Sequence, residues 1–134
     1  MSRTLLYLDS SAIIKLIVKE PETDALFAFL REWSELISSA IVRVEVLRAL
    51  RRARGGGGAY HRGQDVLARL ALVRLNEEIA DTAAGLDPLE LRALDAIHLA
   101  SALSVRENLA GIVTYDIRLA RAARSIPIRV WAPR

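Results

Sequence analysis

Leu5-Leu6-Tyr7-Leu8-Asp9 decides the fold. Four apolar residues in a row, bounded by Thr4 and Asp9, read as a strand buried on both faces, as the strands of parallel sheets are. Ser10 and Ser11 follow, and a helical stretch from Ala12 to Val18 comes at once. A buried strand that hands over directly to a helix opens an α/β unit. Ligands of open α/β sheets bind at the carboxyl ends of the strands, so Asp9 stands where a site is expected.

The rest of the chain repeats the alternation. Pro21 opens a second helix, in which Leu26, Phe29, Leu30 and Trp33 have the spacing of one buried face. Leu36-Ile37 reads as a second strand, and Ser38 or Ser39 as the cap of a helix from Ala40 to about Arg54. Gly55 to Gly58 stop that helix, because glycine loses the most backbone entropy when ordered. No Lys-Ser or Lys-Thr follows them, so they are no P-loop. A helix is expected over Tyr60–Leu70, a strand over Ala71–Leu75 and a short helix over Glu77–Ala84. Asp87-Pro88-Leu89-Glu90 has the pattern of a helix start with a capping box, leading toward Glu107 with a break near Asp95. Ile112–Tyr115 reads as a strand ending at Asp116, Ile117–Arg124 as a helix and Ile128–Trp131 as the last strand. The expectation is one domain over residues 1–134, a three-layer α/β/α sandwich around a five-stranded parallel sheet.

Bulk properties exclude several classes. A hydrophobic content of 52% argues against disorder. No apolar run approaches the roughly 18 residues of a membrane span. Met1 to Thr4 lead straight into the first strand and leave no room for a signal peptide. The absence of cysteine removes disulfides and thiolate metal sites. A cytoplasmic protein without membrane contact is expected. The net charge of +3 is modest, but 17 of the 19 basic residues are arginine, which pairs bidentately with phosphate.

Four acids stand apart from those on solvated helix faces. Asp9 and Asp116 end buried strands, where either would also serve as the N-cap of the next helix. Asp95 has Leu91, Leu94, Ala96, Ile97 and Leu99 as neighbours, and an isolated buried carboxylate is expensive. Glu45 falls between Ile41 and Ala49 on an apolar helix face, with Arg48 one turn on as a possible partner. If the four converge, repulsion decides: two like charges ~4 Å apart at an effective dielectric near 20 cost about 4 kcal/mol. An all-carboxylate set suits a hard cation, Mg²⁺ or Mn²⁺. With arginines nearby, a phosphodiester is the natural substrate.

Tyr7-Leu8-Asp9-Ser10-Ser11-Ala12, Arg43-Val44-Glu45-Val46, Leu94-Asp95-Ala96-Ile97-His98-Leu99-Ala100 and Val113-Thr114-Tyr115-Asp116 together resemble the motifs of PIN-domain ribonucleases. More narrowly, they are similar to VapC-type toxins of bacterial toxin–antitoxin pairs. The resemblance covers essentially the whole chain in order and spacing, and the Asp95 segment is its most specific piece. It implies a homodimeric, Mg²⁺- or Mn²⁺-dependent endoribonuclease restrained by a cognate VapB-type antitoxin. Asp9, Glu45, Asp95 and Asp116 match the family's four acids, and Ser11 (or Ser10) and Thr114 its hydroxyl positions. The Gly55 to Gly58 run and the arginines before it lie outside the family's pattern.

Supporting residues have plainer readings beside the functional ones. His98, one turn after Asp95, is expected to be structural and bonded to a backbone carbonyl rather than a general acid. Arg43, Arg48, Arg51, Arg52 and Arg54 line one helix and its exit, and Arg118, Arg121 and Arg124 another. Arg48, Arg118 and Arg121 are the candidates for RNA contact, against the default of solvated faces. A receiver domain would need a lysine late in the chain, and only Lys15 and Lys19 are present. A haloacid-dehalogenase-like phosphatase would want Asp two residues after Asp9, where Ser11 stands. The remaining alternative is a PIN fold kept as an RNA- or protein-binding module.

Overall fold

The computed structural model describes residues 3–53 and 57–134. Five strands form one parallel sheet in the order β3-β2-β1-β4-β5. In chain order these are β1 (Leu5–Leu8), β2 (Glu35–Ser39), β3 (Ala71–Val73), β4 (Leu109–Val113) and β5 (Val130–Trp131). Helices α1 (Ser10–Ile17) and α2 (Thr23–Leu30) follow β1, and α3 (Val42–Arg52) and α4 (Gly57–Ala68) follow β2. Helices α5 (Glu77–Ala84) and α6 (Ala93–Ser104) join β3 to β4, and α7 (Ile117–Ser125) joins β4 to β5.

β1 is the central strand, and Leu6, Tyr7 and Leu8 are fully buried. Successive side chains leave a strand on opposite faces. Leu6 and Leu8 enter a core built with α1 to α4, while Tyr7 enters a second core with α6 and α7. A third cluster joins α5 to α6. Burying each large aliphatic side chain contributes about 1.5–3 kcal/mol, so the run that opens the chain anchors both layers. The three-layer expectation is met.

Several boundaries differ from the sequence reading. Residues 87–92 form turns, and α6 begins only at Ala93, with Arg92 as an N-cap that makes no side-chain bond. Leu86 and Leu91 both pack against the apolar clusters, and the Leu91 amide donates to the Pro88 carbonyl at 3.0 Å. Burying both leucines overrides the local capping pattern. Ser38 and Ser39 belong to β2 rather than capping α3: Ser38 Oγ donates to the Leu8 carbonyl at 2.6 Å, and Ser39 Oγ accepts from the Ile41 amide. Pro21 lies in a turn before α2, which ends at Leu30, yet Trp33 still packs on Phe29 and Trp131. β4 starts three residues earlier than expected, and β3 stops at Val73. Helix α3 ends at Arg52, ahead of the glycine run, and Gly57 and Gly58 lie in the first turn of α4. Arg54, Gly55 and Gly56, like Met1 and Ser2, lie outside the described residues.

Candidate active site

Register builds the site. Leu8 of β1 pairs with Val113 of β4, so the residues leaving those strands emerge side by side at the carboxyl edge of the sheet. Asp9 leaves β1 and becomes the N-cap of α1, its Oδ1 accepting from the Ala12 amide at 3.0 Å. The same oxygen accepts from Ser11 Oγ at 2.6 Å, and Oδ2 accepts from Thr114 Oγ1 at 2.6 Å. Asp9 is almost fully buried. Burial pushes its carboxyl pKa up, against the opposing pull of the Ser11, Thr114 and Ala12 donors and of His98.

Thr114 and Ser11 tie the two strand ends together. Thr114 Oγ1 accepts from the Asp116 amide at 3.0 Å, and Ser11 Oγ accepts from the Tyr115 amide at 2.9 Å. Asp116 is the N-cap of α7, with Oδ1 accepting from the Arg118 and Leu119 amides. The cap reading and the site reading of Asp9 and Asp116 are therefore compatible.

The other two acids sit in first helical turns. Glu45 lies in the first turn of α3, and Asp95 in the first turn of α6. The late start of α6 makes Asp95 a first-turn residue rather than an acid in mid-helix. Burial raises its carboxyl pKa, as do Asp116, Asp9 and Glu45, while His98 opposes. All four acids thus occupy helix N-termini, where the helix dipole favours negative charge. They are close enough to repel through Asp95.

Among the described residues, Asp9, Asp95 and Asp116 form no salt bridge, and Glu45 pairs only with His98. Lys15, the buried lysine, is committed to Glu20 and Glu22 instead. Carboxylates gathered without a paired lysine or arginine leave room for a cation from outside. The donors are oxygens only, which suits a hard ion. Among the described residues no three acids or histidines stand close enough to form a ready-made cage.

His98 is buried as a structural histidine would be, but with other partners than expected. Neither ring nitrogen meets a backbone carbonyl. Nδ1 lies 2.7 Å from the Tyr7 hydroxyl, and Nε2 lies 2.8 Å from Glu45 Oε1. Glu45 therefore pairs with His98 and not with Arg48, which is exposed. Tyr7 was not among the expected site residues. Its one signal in the sequence was a phenol in an otherwise aliphatic strand, and a buried phenol needs a partner.

The arginines divide. Arg118 and Arg121 line a cleft of about 820 Å³ with Arg92, Leu91 and the 87–90 turns. None of the four acids lines it; Asp116 and Thr114 line a smaller cleft of about 320 Å³ together with Arg121 and Arg124. Arg48 lies on α3 and lines neither.

The PIN domain family model matches residues 6–125. The ribonuclease VapC46 of Mycobacterium tuberculosis is 48% identical over 128 residues, covering 96% of this chain and 97% of its own. Two solved structures share the fold. A toxin–antitoxin complex from Klebsiella pneumoniae aligns with TM-score 0.69 and 20% identity over 96% of this chain and 98% of its own. Mycobacterium tuberculosis VapC20, a toxin that cleaves the sarcin–ricin loop, aligns with TM-score 0.71 and 15% identity over 87% and 94%.

Proposed function

Because the chain belongs to the PIN-domain family, and within it to the VapC ribonucleases, we propose that it is a metal-dependent endoribonuclease toxin restrained by a cognate VapB-type antitoxin. It acts as one PIN domain over residues 1–134, as a homodimer, in the cytoplasm. No helix among the described residues is long and apolar enough to cross a membrane. The observation that carries the reading is four carboxylates around one sheet edge with no lysine or arginine paired to them among the described residues. A module that merely binds RNA or protein has no use for that repulsion.

Asp9, Asp95 and Asp116 would hold the ion, directly or through water, with Glu45 beside them. A divalent cation there, Mg²⁺ or Mn²⁺, supplies Lewis-acid chemistry: it acidifies water and offsets charge building on the phosphate. The protein's own part is positioning. Ser11 and Thr114 engage both oxygens of Asp9 and so fix the plane of its carboxylate. The N-terminus of α7 fixes Asp116. Arg118 and Arg121 line one cleft, Arg121 also lines the cleft that holds Asp116, and both would pair with phosphates of the bound strand, while Arg48 adds positive charge on α3. Hydrolysis joins a water oxygen to phosphorus and breaks one ester P–O bond.

The test is cleavage of total RNA by purified protein with Mn²⁺ or Mg²⁺, with the cut ends sequenced. The wild type should give discrete cuts, Asp9→Asn none, and co-expression of the antitoxin partner should suppress them. Equal cleavage by wild type and Asp9→Asn would overturn the assignment.

A further inference from the structure

We propose that His98 is a positioning residue that holds Glu45 toward the other acids, and that Tyr7 sets the tautomer in which His98 does so. This rests on Glu45 belonging to the ribonuclease site.

The hydrogen-bond chain runs Tyr7 Oη, His98 Nδ1, His98 Nε2, Glu45 Oε1, with links of 2.7 and 2.8 Å. Its direction follows from the chemistry of its ends. An ionised carboxylate only accepts, so Nε2 must carry the hydrogen. In neutral imidazole Nδ1 then offers a lone pair, and the Tyr7 hydroxyl must donate to it. Burial holds the Tyr7 phenol far above its ordinary pKa, which keeps that donor in place. Ser38 and Ser101 lie against the phenol, and Ser101 Oγ is buried without a hydrogen-bond partner. The phenol edge also meets the imidazole at 83°, with ring centroids 5.8 Å apart.

The chain links parts that share no core. α3 packs with the layer of α1 to α4, whereas His98 is on α6 and Tyr7 points into the opposite layer. The His98–Glu45 bond therefore ties the two layers at the site edge. It occupies one Glu45 oxygen and leaves Oε2 without a hydrogen bond among the described residues. A long Glu side chain loses rotamer freedom when fixed, and His98 takes up that cost before any ligand arrives. His98 is 1% exposed with both nitrogens engaged by protein groups, a placement that suits holding Glu45 rather than meeting substrate.

Three measurements test this. Nitrogen-15 NMR of the metal-free protein reads the tautomer directly, and assignment is simple because the chain holds only two histidines. His98 should be the Nε2–H form in the wild type and lose that definition in Tyr7→Phe. A Nδ1–H form in the wild type would overturn the proposal. Next, Mn²⁺ affinity by calorimetry should fall about 10- to 100-fold in Tyr7→Phe and His98→Leu, in line with losses of outer-shell partners. In a Glu45→Gln background Tyr7→Phe should have no further effect, whereas an undiminished effect would mark a merely structural role. His98→Gln, whose amide nitrogen can replace Nε2 as donor, should recover most of the affinity, and kcat for RNA should follow it with KM unchanged. If His98→Gln binds Mn²⁺ no better than His98→Leu while both fold, the proposal fails. Wild-type protein that binds Mn²⁺ but cleaves no RNA would sink the ribonuclease reading and leave the NMR test standing.

Discussion

Thr114 Oγ1 donates to Asp9 Oδ2 at 2.6 Å across 105 positions of sequence. Both residues are buried, and the bond closes the gap between the ends of β1 and β4. Thr114 also receives the Asp116 amide, so one hydroxyl sets the relation between two of the acids.

Thr114→Val keeps the shape and removes that hydroxyl. A buried acceptor left without its donor costs about 1–3 kcal/mol. We expect stability to fall by that order in urea unfolding, and RNA cleavage to drop about 10- to 100-fold as outer-shell losses do. Thr114→Ser should stay near wild type. Full activity in the valine variant would show that Asp9 needs no such support.

Asp9→Asn should separate activity from stability. Burial raises the Asp9 pKa above its ordinary 3.8. Between 3.8 and the raised folded value, the native state keeps a proton that the unfolded chain has released. The stability Asp9 contributes is therefore fully present below 3.8 and is lost as pH rises through the folded value. Asparagine carries no charge at any pH. The metal-free variant should melt at or above the wild type near neutral pH, and the gap should close in acid, as followed by circular dichroism. Cleavage should be abolished. A variant much less stable than wild type at neutral pH would contradict the burial argument.

Cation removal should act on the acids as a group. Chelation with EDTA should abolish cleavage, and Mn²⁺ or Mg²⁺ should restore it. Bound Mn²⁺ should raise the melting temperature, since a ligand specific for the native state stabilises it by mass action. Asp95→Asn should weaken that shift, because it removes one of the repelling charges that call for the ion. A melting temperature indifferent to Mn²⁺ in the wild type would count against any metal site.

Arg118→Ala should reduce RNA affinity nearly equally for all sequences. The slope of log K against log salt should flatten by about 0.7 for a single-stranded ligand if one phosphate contact is lost. Arg121→Ala should behave alike, as Arg121 shares one cleft with Arg118 and another with Asp116. Arg48→Ala reports separately on α3. An unchanged slope in Arg118→Ala and Arg121→Ala would return these arginines to ordinary surface charge.

Much of this architecture was legible because it is carried by local pattern. The run Leu5 to Leu8 could only be a doubly buried strand, and β1 is the centre of the sheet. Asp9 and Asp116 were readable as strand ends and as caps, and they are both. The Asp87-Pro88-Leu89-Glu90 pattern promised a helix start that packing of Leu86 and Leu91 denies, so Asp95 lies in a first turn.

By itself the sequence determined the α/β class and the strand that anchors it, and it singled out four acids as the candidate site. These follow from hydrophobic runs and from acids set beside them, which are properties of near neighbours in the chain. Only the tertiary structure decided which groups hold the acids in place. Thr114 meets Asp9, and His98 joins Tyr7 to Glu45, through partners 105, 91 and 53 positions apart. Strand register and the meeting of helices from opposite layers set those pairings, and no local spacing encodes them.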